Sequence, residues 1–67
     1  MELKDRIKVL RQEKRFTQAQ LAEEAEVDQS TVSYWEKGRQ EPNKEQRKRL
    51  CKALGVTLSG LFKDVDL

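Results

Sequence analysis

Residues 17–38 read TQAQLAEEAEVDQSTVSYWEKG, from Thr17 to Gly38, and this stretch decides the fold. It reads as two short helices joined by a tight turn. Thr17-x-x-Gln20 has the form of a capping box, in which each side chain satisfies the other residue's backbone N–H. The first helix, predicted over 18–25, turns Leu21, Ala22 and Ala25 inward. Asp28 stands where it can cap the next helix. That helix is predicted over 29–37 and stops at Gly38, which tolerates the left-handed conformation that ends many helices.

The second helix has two unlike faces. With Val32 at the origin and 100° per residue, Trp35 lies at about 300° and Glu36 at about 40°. Ser30, Ser33, Tyr34 and Lys37 fall between about 100° and 200°, with Gln29 at about 60°. The outward side is thus polar and free of acids. Hydroxyls, an amide and a phenol both donate and accept, so such a face suits the reading of hydrogen-bonding patterns. The first helix has neutral Gln18 and Gln20 in its first turn and Glu23, Glu24 and Glu26 at its far end. This order opposes the helix dipole, but it leaves the amide-rich N-terminus open to a phosphate.

Outward from this pair, Leu3, Ile7 and Leu10 make an apolar stripe on a helix predicted over 2–14. Arg11 sits about 40° from the stripe's centre and so needs a carboxylate at the core boundary. Val9 falls on the opposite, exposed face. Asn43 and Gln46 cap a helix predicted over 44–54, with Leu50, Cys51 and Leu54 inward and Gly55 as its stop. Thr57 caps a last turn over 58–62. Residues 63–67 are left unassigned.

The 67 residues suffice for one small domain, and no repeat or Gly/Ser-rich linker divides them. No histidine is present, which removes Ser-His-Asp and Cys-His catalysis. With one cysteine, the usual zinc ligand sets are absent too. No glycine-rich phosphate loop occurs. The reading is therefore not an enzyme, with no cofactor and no metal. No apolar run approaches the roughly 20 residues that span a membrane. A lone cysteine and the lack of a signal peptide fit a cytoplasmic protein. The net charge is only +2. Its distribution is more telling, since Lys37 to Lys52 holds seven cationic residues and two acidic ones, whereas Glu23 to Asp28 holds four acids. Such a chain can orient itself on a polyanion.

The full pattern runs Ile7-x-x-Leu10-Arg11, Thr17-Gln18, Leu21-Ala22, Val27, Gln29-Ser30-Thr31-Val32-Ser33, Trp35-Glu36, Gly38, Pro42, Leu54-Gly55-Val56 and Leu61-Phe62. It closely resembles the helix-turn-helix domain of the phage repressor and Cro family, also called the XRE family, over roughly residues 3–62. The resemblance implies an all-α, five-helix, lambda-repressor-like domain that binds double-stranded DNA, usually as a homodimer. In such motifs the second helix of the pair lies in the major groove. Carried over by position, Gln29, Ser30, Ser33 and Tyr34 meet base edges. Gln18, Thr31, Lys37 and Arg39 meet the DNA backbone, helped by the amides that follow the second helix. Arg11 and Glu36 match a salt bridge typical of the family.

Some positions depart from the pattern. Arg15 and Glu26 stand where glycine is frequent, at turns that favour positive φ. Asp28 stands where serine or threonine is common. Lys44 and Arg47 replace residues that are often apolar. The expected function is a transcriptional regulator, a repressor that binds a pseudo-palindromic operator. Dimerisation is expected through Leu58, Leu61 and Phe62, extended by Val65 and Leu67, although Leu58 and Phe62 can equally close the core. No segment is left for a small-molecule effector domain. The competing reading is an antitoxin or bridging module that keeps the fold but serves protein contacts.

Overall fold

A computed structural model describes residues 1–66; Leu67 and its expected part in a dimer surface lie outside the described residues. Five helices follow in order: α1 (Leu3–Glu13), α2 (Gln18–Ala25), α3 (Gln29–Lys37), α4 (Lys44–Leu54) and α5 (Leu58–Leu61). The predicted bounds hold to within one residue at each end.

The starts of α2 and α4 are set by capping boxes. Thr17 Oγ1 accepts from the Gln20 N–H at 3.1 Å, and Gln20 Oε1 accepts from the Thr17 N–H at 2.8 Å. Asn43 and Gln46 repeat the arrangement. Thr57 Oγ1 accepts from the Gly60 N–H at the start of α5. Asp28 departs from expectation. Its backbone takes the extended N-cap conformation, but its side chain makes no capping hydrogen bond. It begins the helix by backbone shape alone.

The helix ends share one device. After α1, α2, α3 and α4 a backbone N–H reaches back five residues, from Phe16 to Arg11, Val27 to Ala22, Arg39 to Tyr34 and Val56 to Cys51. This closure needs a left-handed residue just before the donor. Gly38 (φ 76°) and Gly55 (φ 68°) supply it without strain, but Arg15 (φ 60°) and Glu26 (φ 58°) must also adopt it. Both departures from glycine therefore sit at positive φ, as expected. Asp64 (φ 62°) is a third such residue, which sequence reasoning missed.

One core unites all five helices. Ile7 and Leu10, Leu21, Ala22 and Ala25, Val32 and Trp35, Leu50 and Leu54, and Leu61 are buried together. Trp35 is the largest fully buried side chain. It lies on α3, which packs against both α1 and α2. Helix α4 backs α2, and α5 bridges α1 and α4. Val9 is half-buried rather than exposed, although it is not among the side chains packed on the core. Cys51 is also half-buried, and desolvation raises its thiol pKa above the ordinary 9.0.

Candidate nucleic-acid interface

The orientation of α3 follows from its wheel. Val32 is 0% exposed and Trp35 is 1% exposed, so they fix one side of the helix in the core. Gln29, Ser30 and Lys37 are exposed, Tyr34 is exposed, and Thr31 and Ser33 are half-buried on the flanks. The structure thus gathers Gln29, Ser30, Ser33 and Tyr34 on one outward face, with no acid among them. Two clefts among the described residues hold about 240 and 380 Å3, and none of these four residues lines either. An exposed polar helix face suits a groove in a partner better than a small ligand.

Two helix N-termini flank this face. The first N–H groups of α2, at Gln18 and Ala19, have no acceptor among the described residues. No acid lies in the first turn of either α2 or α3. Free amides and the positive dipole end together favour an anion. The Gln18 side chain, expected to face a phosphate, instead turns inward and donates from Nε2 to Glu36 Oε1 at 3.1 Å.

Arg11 and Glu36 form the expected ion pair. Nε donates to Oε2 at 2.7 Å and Nη2 to Oε1 at 3.1 Å, while Nη1 donates to the Phe16 carbonyl at 2.7 Å. A bidentate guanidinium–carboxylate pair fixes angle as well as distance. It ties the C-terminal half of α3 to α1 and to the turn entering α2.

Past α3 the backbone offers less than expected. The N–H groups of Gly38, Arg39 and Gln40 bond to Trp35 and Tyr34 carbonyls in the helix C-cap. These three face inward, because the left-handed Gly38 folds the chain back on itself; the Glu41 N–H has no acceptor among the described residues, and the side chains of Lys37 and Arg39 are exposed. The apolar C-terminal cluster also needs correction. Leu61 is 0% exposed and belongs to the core, Phe62 and Val65 are half-buried, and Leu58 is open, at 56%. On a four-residue helix, Leu61 points into the gap between α1 and α4 and Leu58 points away.

Two arginines that the sequence did not single out also hold the frame. Arg6 donates through Nε and Nη2 to the Gly60 carbonyl at 3.1 and 2.9 Å. Arg49 donates to the Glu26 carbonyl at 3.1 Å, anchoring the α2–α3 turn to α4. Both reach lone carbonyls far away in sequence, which no local pattern signals. Among the described residues no group of His, Cys, Asp or Glu could hold a metal ion. No helix among them is long and apolar enough to cross a membrane.

An outward polar helix held over a second helix with a free amide terminus defines the class: a helix-turn-helix DNA-binding domain. The helix-turn-helix family model designated HTH_3 matches residues 7–61, and the chain belongs to that XRE-type family of DNA-binding transcription regulators. It is 37% identical over all 67 residues to the HTH-type transcriptional activator BcrR of Enterococcus faecalis, and it spans 33% of that protein's length. Its structure is similar to the solution structure of the DNA-binding domain of the P22 C2 repressor. The TM-score is 0.90 at 30% identity, with 98% of this chain and 88% of the other covered.

Proposed function

We propose that this chain reads a specific sequence of double-stranded DNA and acts as a repressor, binding a pseudo-palindromic operator as a homodimer. The observation that carries this reading is the α3 face. It is polar, exposed and free of acids, and Val32, Trp35 and Glu36 hold it from behind. In this reading α3 enters the major groove, and Gln29, Ser30, Ser33 and Tyr34 meet base edges. In the same reading Gln29 bonds bidentately to an adenine, a contact worth about 1–3 kcal/mol. Thr31, Lys37 and Arg39 contact the backbone, and the open amides of Gln18 and Ala19 receive a phosphate.

Leu58, the exposed apolar residue of α5, is the proposed centre of the dimer contact. A two-fold dimer places half-sites about one helical turn apart. Selection of bound sequences from random duplex DNA tests the proposal. A palindromic consensus with that spacing supports both specificity and symmetry. A single half-site supports reading without dimerisation. Absence of enrichment favours the alternative, a module of the same fold that sequesters or bridges proteins.

A further inference from the structure

We infer that Gln18 is a positioning residue for base discrimination, working through Glu36 inside the protein rather than through a phosphate. This rests on the DNA-reading function proposed above. The Glu36 carboxylate is only 4% exposed. Three N–H groups point at it, two from Arg11 on α1 and one from Gln18 at the first position of α2. The bidentate Arg11 pair sets Glu36 against α1 but does not reach α2. The Gln18 bond, coming from a different helix, ties the same carboxylate to α2 as well. Glu36 is thereby held between α1 and α2.

The geometry of α3 carries this constraint to the DNA. Gln29 lies seven residues before Glu36, which is two turns less about 20° of rotation. The two side chains therefore leave nearly the same edge of the helix, about 10 Å apart along its axis. What holds Glu36 in azimuth holds the row from which Gln29 projects. A bidentate base contact tolerates little misalignment, because its two hydrogen bonds weaken steeply with angle. A small rotation of α3 thus erodes discrimination, while charge contacts from flexible Lys37 and Arg39 adapt. The family resemblance implies a phosphate for Gln18; its side chain instead reaches Glu36, 18 residues away.

The test is Gln18→Met, which keeps length and helix propensity and removes the donor. Affinities for the selected site and for random duplex are measured at one salt concentration. The base pair that loses discrimination in Gln29→Ala marks the position that Gln29 reads. Gln18→Met is expected to reduce discrimination at that base pair at least threefold, with random-duplex affinity changed less than twofold. In a Gln29→Ala background it is expected to change that base pair no further. A loss of stability alone scales both affinities together and does not produce this split. An equal loss on both duplexes, the signature of a phosphate contact, overturns the inference, as does intact discrimination. If wild type shows no preference over random duplex, the functional reading fails by itself. Backbone amide shifts of the DNA-free protein then decide the positioning claim: Gln18→Met moves the α3 amides from Gln29 to Lys37 if the claim holds, and only α2 neighbours if it does not.

Discussion

Arg11 grips Glu36 with two parallel hydrogen bonds, 2.7 and 3.1 Å long, and the carboxylate is almost wholly enclosed. The pair joins helices 25 residues apart in sequence. Removing one member of a buried pair leaves the other uncompensated, which costs about 3–5 kcal/mol. Arg11 retains 13% side-chain exposure, which lowers the penalty. Arg11→Met is therefore expected to destabilise by about 2–4 kcal/mol in urea unfolding. The double replacement Arg11→Met with Glu36→Met should cost clearly less than the two singles summed. Additivity would mean that the ion pair does not operate as a unit.

Glu26 ends α2 in the left-handed region. A side chain there costs about 1–2 kcal/mol. Glycine removes that strain but adds unfolded-state entropy of about 0.4–1 kcal/mol. The first term is larger, so Glu26→Gly should raise the melting temperature by a few degrees, at about 4–8 °C per kcal/mol for a domain this size. The Arg49 bond to the Glu26 carbonyl uses the backbone and survives the change. A lower melting temperature would mean that the turn is not left-handed in solution.

The N-caps Thr17, Asn43 and Asp28 should separate by stability. Thr17→Ala and Asn43→Ala each remove a side-chain cap and are expected to cost about 1 kcal/mol. Asp28 makes no such bond, so Asp28→Ala should cost under about 0.5 kcal/mol. Asp28→Asn also removes a negative charge beside the proposed DNA face, and affinity for duplex DNA should rise. A fall in affinity would identify Asp28 as a base acceptor, for instance from a cytosine N4.

Burial raises the pKa of the Cys51 thiol. The folded chain then holds the thiol proton more tightly than the unfolded chain does. Its contribution to stability is complete below the unfolded pKa and is lost as pH rises through the folded value. Alkylation of Cys51 near pH 7 should be slower than that of a free cysteine, and it should accelerate above about pH 9. Rapid neutral-pH alkylation would show that the thiol is open to water.

What the sequence disclosed follows from local rules. Thr17, Asn43 and Thr57 announced their helices because capping depends on residues three apart. Val32 and Trp35 faced inward because a nine-residue helix offers a wheel that can be read. Arg15 and Glu26 were legible as left-handed positions only through the family resemblance, because they stand where glycine is frequent. The misses lie where local rules run out. A four-residue α5 is too short for periodicity to tell Leu58 from Leu61. The Gln18 side chain was expected at a phosphate, and only the arrangement of α2 against α3 brings it to Glu36. Of the amides after α3 that were expected to face DNA, C-cap geometry turned those of Gly38, Arg39 and Gln40 inward. Arg6 and Arg49 bond to distant carbonyls, which leave no trace in neighbouring residues.

The central claim is that one face of α3 reads bases while its flanks hold phosphates. The most direct measurement compares Gln29→Ala and Lys37→Ala, position by position, across variants of the selected site. The account predicts that Gln29→Ala relaxes preference at one base pair of each half-site. It predicts that Lys37→Ala weakens all sites about equally and reduces the salt slope by about 1. Uniform weakening by Gln29→Ala, with preference retained at every base pair, would contradict it.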